Sequence, residues 1–227
     1  MKGIRACHGG HRMLILQRDP RGSLERAHGC CVATLAAMEA FLICAGVVAL
    51  GEMGDKTQLL AIVLAAAFRR PLPIIAGIFV ATVLNHAVAG AVGGWVAQAL
   101  GPDVLRWVIG LSFLAMAGWV LVPDQINEET AAGGQRYGVF GTTVIAFFLA
   151  EMGDKTQIAT VALAARYTDV VAVVLGTTVG MMLANVPAVF LGDRIAKKVS
   201  MKLVHGVAAL IFAVLGVMTL FNVGSLL

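Results

Sequence analysis

The chain has 227 residues, of which 59% are hydrophobic and only 13% charged, and its mean hydropathy is +0.87. Soluble domains carry roughly 25% charged residues, so the composition excludes an ordinary soluble globular fold. The net charge of +4 resides in residues 1–37, while residues 38–227 balance 11 basic against 11 acidic side chains and leave no charge excess for a nucleic-acid surface.

Residues 1–37 form a basic leader whose only apolar run, MLIL at 13–16, is too short for the core of a signal peptide. Met38 opens MEAFLICAGVV, a natural start for a first span, so the leader is expected to be disordered or the product of a misassigned start. Cys7, Cys30, Cys31 and Cys44 show no metal-binding spacing, and neither a disulfide framework nor a zinc site is expected.

Six apolar runs follow, near 34–67, 73–98, 104–122, 138–165, 170–191 and 203–224. About twenty apolar residues cross a bilayer as a helix, whereas the strands of a membrane barrel read as short alternating segments. These runs are continuous, and the expected fold is all-α: a polytopic membrane protein with six transmembrane helices. The polar stretch 123–137 (PDQINEETAAGGQRY) is the linker between residues 38–122 and 138–227, with three spans on each side.

The two halves are copies. EMGDKTQ at 52–58 recurs at 151–157, and the same offset of 99 carries Leu64-Ala65-Ala66 onto Leu163-Ala164-Ala165, Gly77 onto Gly176 and Phe113 onto Phe212. Three spans per copy make the second enter from the opposite face. The expected architecture is therefore two inverted three-helix repeats, with a site at the midplane between them. Arg69, Arg70, Arg136, Arg194, Lys197, Lys198 and Lys202 fall on one side, and only Arg106 and Arg166 on the other. By the positive-inside rule the first set is cytoplasmic and both termini lie outside. Gly77, Ala81, Gly90 and Gly94 in the second span, with Gly176 and Gly180 in the fifth, are read as a surface for close helix packing.

The duplicated heptapeptide carries the chemistry. On a continuous helix Glu52 and Asp55 share a face, as do Glu151 and Asp154. Antiparallel helices crossing at their midpoints would gather four carboxylates, the oxygen donors that hard divalent cations such as Ca²⁺, Mg²⁺ and Mn²⁺ take. Gly54 and Gly153 weaken the helix there and free backbone carbonyls. Thr57, Gln58, Thr156 and Gln157 add neutral oxygens as supporting groups. Four acids with Lys56 and Lys155 sum to −2, which one divalent cation neutralises; protons then replace a departing ion, which is the thermodynamic basis of antiport. The lysines either hold the empty site together or point away from it. Intramembrane ionisable groups mark function by default, and a buried structural ion-pair cluster is the weaker reading.

Asn85 and Asn185 are supporting candidates, and His86, the counterpart of Asn185, is a candidate proton relay. An interhelical hydrogen bond is the plainer role for each. Met53 and Met152 are expected in the core, His205 beside the basic loop in solvent, and Glu39 at the membrane interface. No HExxH, GxSxG or paired-aspartate protease motif is present, so an enzyme is not expected.

The repeated Glu-x-Gly-Asp-Lys-Thr signature, with EMGDKTQLLAIVLAA followed by RRPLPIIAGIFVATVLNHAVAG, resembles the manganese/calcium–proton exchanger family over residues 38–227. The resemblance implies that Glu52, Asp55, Glu151 and Asp154 are essential for transport. It also implies export of Mn²⁺ across a bacterial inner membrane in exchange for protons, with Ca²⁺/H⁺ exchange as the alternative. A more distant alternative is export of an amino acid or other small metabolite. No cofactor is expected beyond the transported ion, and the partners are that ion, protons and the bilayer.

Overall fold

The computed structural model describes residues 20–122, 137–167, 169–191 and 201–222. Among them lie eight helices and no strand: α1 Pro20–Glu52, α2 Lys56–Phe68, α3 Pro71–Ala99, α4 Pro102–Trp119, α5 Gly138–Glu151, α6 Lys155–Arg166, α7 Val170–Leu191 and α8 Met201–Leu220. The chain divides at Leu35/Ala36 into two compact units. The first contributes the opening turns of α1, and the second, Ala36–Leu227, carries all that follows. Helix α1 starts inside the basic leader, at Pro20. The expectations for residues 1–19, for most of the linker and for the loop bearing Arg194, Lys197 and Lys198 lie outside the described residues.

Ala33–Glu52, Pro71–Ala99, Val170–Phe190 and Lys202–Leu220 are long and apolar enough to cross a membrane. The first and fourth apolar runs differ from the single helices expected of them. Each is two helices end to end, α1–α2 and α5–α6, interrupted inside EMGDKTQ. The other boundaries follow ordinary chemistry. Arg69 adopts a left-handed conformation that closes α2, and proline begins both α3 and α4, where its missing N–H costs no helical bond.

Helix α3 packs against α5, α6 and α7, α2 packs against α5 and α7, and α4 packs against α8. The expected small-residue surfaces make these approaches. A Cβ on Gly77 would stand 2.7 Å from Thr143 Cβ and 3.0 Å from the Phe140 oxygen of α5. One on Gly176 would stand 2.5 Å from the Phe41 oxygen and 3.0 Å from Cys44 Cβ of α1. Gly176, Phe140 and Thr143 each lie 99 positions beyond Gly77, Phe41 and Cys44, so one contact is built twice from corresponding residues of the two halves.

These approaches give a stability prediction. A Cβ on Gly93 would meet the Val161 carbonyl oxygen and stand 2.8 Å from Ala164 Cβ, whereas one on Gly118 meets nothing within 4 Å. Gly93→Ala is expected to destabilise the detergent-solubilised protein by about 1–3 kcal/mol through overpacking. Gly118→Ala should be neutral or stabilising by up to ~1 kcal/mol from helix propensity. Thermal melting of the two variants side by side checks this, and equal melting temperatures would remove the packing argument.

Candidate metal centre

Both copies of the heptapeptide break the helix in the same way. Helix α1 ends at Glu52, Gly54 takes φ +83°, Asp55 is extended at φ −80° and ψ 169°, and α2 begins at Lys56. Helix α5 ends at Glu151, Gly153 takes φ +76°, Asp154 is extended at φ −77° and ψ 165°, and α6 begins at Lys155. A side-chain-bearing residue strains at such positive φ values, which explains a glycine at both positions. The Glu–Asp pairs therefore do not share a continuous helical face, as the i, i+3 spacing suggested. Each glutamate closes one half-helix, and each aspartate precedes the next.

The glutamine and threonine of each copy support the break. Gln58 Oε1 accepts the Gly54 N–H at 2.9 Å, and Gln157 Oε1 accepts the Gly153 N–H at 2.7 Å. Gln58 also donates to the Ala184 carbonyl of α7 at 3.0 Å. The Thr57 hydroxyl donates to Glu52 Oε2 at 2.5 Å. That of Thr156 lies 3.1 Å from Glu151 Oε2 and 3.4 Å from Asp154 Oδ2. These four side chains thus act on backbone and carboxylates.

The halves meet through crossed ion pairs. Lys155 Nζ lies 2.6 Å from Asp55 Oδ1, both residues 1% exposed. Lys56 Nζ lies 2.8 Å from Asp154 Oδ1, with the lysine 26% exposed. Each lysine thus binds the aspartate of the other copy. Both aspartates occupy helix N-cap positions without a capping side-chain hydrogen bond, and each turns its carboxylate to the opposite lysine.

Glu52, Glu151 and Asp154 are buried, and each offers a carboxylate oxygen within 4.8 Å of the others. Asp55 lies outside this group. Oε1 of Glu52 and Oε1 of Glu151 are buried without a hydrogen-bond partner. Oxygens bound to one Ca²⁺ at 2.3–2.6 Å are at most about 5 Å apart, so three of the four acids already stand at a separation one divalent ion can bridge.

The remaining candidates are spread out. Asn85 donates to the Phe148 carbonyl at 3.2 Å, and Asn185 donates to the Met181 carbonyl at 3.1 Å within its own helix. His86 is fully buried on α3 and is not among the clustered ligands. Met152, expected in the core, is exposed, while Met53 is half-buried. His205, expected in solvent, is half-buried with Nε2 2.8 Å from the Met53 carbonyl oxygen. The offset of 99 was the one available signal for it, because it sets His205 opposite Arg106 in the other half.

A family model described as "Divalent cation/proton antiporter GDT1" matches residues 40–128 and again residues 139–225. The chain belongs to this family. It is a divalent cation/proton antiporter. Among individual GDT1 relatives, a Vibrio cholerae protein named "Putative manganese exporter" is 50% identical over 175 residues, covering 77% of this chain and 86% of its own length. GDT1-like protein 3 of Oryza sativa subsp. indica is 28% identical over 188 residues, 71% of this chain and 66% of the relative. GDT1-like protein 3 of Arabidopsis thaliana is 28% identical over 189 residues, with shares of 71% and 63%. No solved structure matches the chain.

The unequal exposure of the crossed ion pairs yields a second prediction. Lys155→Met strands the buried Asp55 carboxylate and is expected to cost about 3–5 kcal/mol, the usual effect of removing one partner from a buried pair. Lys56→Met acts on a partly solvated pair and is expected to cost about 1 kcal/mol or less. Denaturation of the solubilised variants measures both. Adding Asp55→Asn to Lys155→Met should recover most of the loss, and equal costs for the two lysines would contradict the assignment of burial.

Proposed function

We propose that this GDT1 antiporter exports Mn²⁺ from the cytoplasm across the inner membrane in exchange for protons. Glu52, Asp55, Glu151 and Asp154 are the ion ligands. The observation that carries this reading is the approach of the Glu52, Glu151 and Asp154 carboxylates to within 4.8 Å, with one oxygen of each glutamate buried and unpartnered. Like charges at such a separation, away from water, repel far more strongly than in solvent. The group therefore needs a cation, and with the ion gone it needs protons. A site that must hold either metal or protons exchanges one for the other.

The lysines complete the scheme. Lys155 occupies Asp55 and Lys56 occupies Asp154, so each ammonium is a tethered cation that neutralises the aspartate while no ion is bound. An arriving divalent ion competes with both lysines and recruits the fourth acid as Lys155 withdraws. The residual charge of −2 on four acids and two lysines matches one divalent ion.

Alternation between faces follows from two inverted three-helix repeats, 38–122 and 138–227. Three observations support that arrangement: the family model matches twice in succession, the Gly77 and Gly176 contacts correspond residue by residue, and each motif breaks its helix at the same glycine. Broken helices whose ends meet at a buried site are a recurrent device of secondary transporters. The distribution of arginines and lysines supports cytoplasmic loops after the first, third and fifth spans and termini on the periplasmic side. Preference for Mn²⁺ rests on the name of the Vibrio cholerae relative, and Ca²⁺ is the alternative cargo within the family description.

The test is transport by the purified full chain in vesicles, with Mn²⁺ or Ca²⁺ supplied and a pH-sensitive dye on the opposite side. Mn²⁺ movement should be accompanied by opposing protons and should exceed Ca²⁺ movement. Glu52→Gln and Asp154→Asn should each reduce flux at least about 10-fold, the lower end of what losing even an outer-shell partner of a metal ligand costs. Unchanged flux in both variants would sink the ligand assignment. Metal flux without proton movement would sink the exchange mechanism, and faster Ca²⁺ flux would reverse the choice of ion.

A further inference from the structure

The two motifs are identical in sequence, yet the centre is not equally covered on its two sides. Around Asp55 the site is closed: Asp55 and its partner Lys155 are each 1% exposed, and Met53 and Gly54 are half-buried. Around Asp154 it is open: Lys56 is 26% exposed, Met152 is 56% exposed, and Gly153 is exposed. Sequence identity between the motifs cannot produce this difference. Something outside them covers one and not the other.

His205 of α8 reaches the closed side. Its Nε2 lies 2.8 Å from the carbonyl oxygen of Met53, in the break between α1 and α2. A carbonyl only accepts, so Nε2 carries the hydrogen and donates. The residue 99 positions earlier is Arg106 on α4, and the counterpart of Met53 is Met152. On that side Met152 is exposed, and among the described residues Arg106 leaves its Nε buried with no hydrogen-bond partner. The helices bearing the two residues are packed together, since a Cβ on Gly216 of α8 would stand 3.0 Å from the Gly110 oxygen of α4. A shift of that pair moves both covering groups at once.

We propose that His205 is a positioning residue of the transport cycle, sealing the Met53 side of the centre in one facing state through the Met53 carbonyl. Release of this hydrogen bond accompanies opening of that side, and Arg106 is the donor that covers Met152 in the opposite state. The inference rests on the antiporter reading for its place in a cycle, but the seal itself is measurable without transport.

The experiment uses the full chain in vesicles with Cys7, Cys30, Cys31 and Cys44 replaced by serine or alanine and Met53→Cys as the reporter, which leaves the Met53 backbone carbonyl in place. Labelling by a polar thiol reagent should accelerate about fivefold in His205→Leu, as expected for the loss of one hydrogen bond. It should return toward the parent rate in His205→Gln, whose amide can donate from a similar position. Met152→Cys should label more slowly in His205→Leu than in the parent, because the same shift covers Met152, and should return toward the parent rate in His205→Gln. In flux measurements, His205→Leu should shift the KM for Mn²⁺ in opposite directions at the two faces, whereas a merely structural loss lowers the maximal rate and leaves the ratio of the two KM values unchanged. Unchanged Met53→Cys labelling in His205→Leu would overturn the proposal, and so would a glutamine variant that behaves like leucine. If labelling responds to His205 while no ion moves in any background, the seal stands and the antiporter reading falls.

Discussion

The centre of this protein is governed by the repulsion between carboxylates held where water cannot screen them. Glu52 and Glu151 are fully buried, and each leaves an oxygen without a hydrogen-bond partner. Thr57 and Thr156 occupy the other oxygens and fix their direction without removing charge. Two lysine–aspartate pairs, one buried and one partly solvated, neutralise half of the acids and cross-link the two copies in doing so. The remaining imbalance is the property that a divalent ion or protons can satisfy, and the helix breaks, the threonines and the glutamines all serve to maintain it.

The breaks are themselves a consequence of that requirement. A continuous helix would bind its own carbonyls and N–H groups internally and would hold glutamate and aspartate one turn apart on a single side. Interrupting it at Gly54 and Gly153 separates the acids onto different half-helices, with Gln58 and Gln157 accepting the freed glycine N–H groups. In an apolar medium such backbone groups are tolerated only when partnered or lining a polar cavity. The glutamines therefore belong to the construction of the break, which accounts for their presence in both copies better than a role as ligands does.

Much of this was legible in the sequence because it depends on residue identity and spacing. The apolar runs marked the helices, the offset of 99 paired the halves, and the acid-rich heptapeptides marked the cluster of buried carboxylates. The helix break was only half legible: glycine advertised weakness, but an apolar run on either side reads the same whether the helix continues or stops. The crossed lysine pairing was not legible at all, because Lys56 and Asp55 are neighbours in the chain while the observed partners, Asp154 and Lys155, lie 98 and 100 residues away. Met152 went astray for a similar reason. Its apolar character predicts burial, but the turn at Gly153 places it on the open side of the break. His205 looked like a solvent-facing residue near a basic loop, and only packing of α8 over the first motif gives it a partner.

An antiporter built from two like halves faces a symmetry problem. If both halves adopted identical environments, both sides of the centre would be open together or closed together, and ions would leak or be trapped. Identical motifs must therefore adopt unequal surroundings, and the inequality must be reversible at small cost. The motifs meet the first need, being similar enough to exchange environments. The groups outside them meet the second. A single hydrogen bond, such as that from His205 to Met53, is worth about 1 kcal/mol net, enough to bias two facing states several-fold without locking either. A buried ion pair at that position, with no incoming cation to take the place of the lost partner, would cost several kcal/mol to break. The strong ion pairs are accordingly placed between the copies, where an arriving cation compensates for breaking them, and the weak contact is placed at the rim, where it must be made and broken unaided.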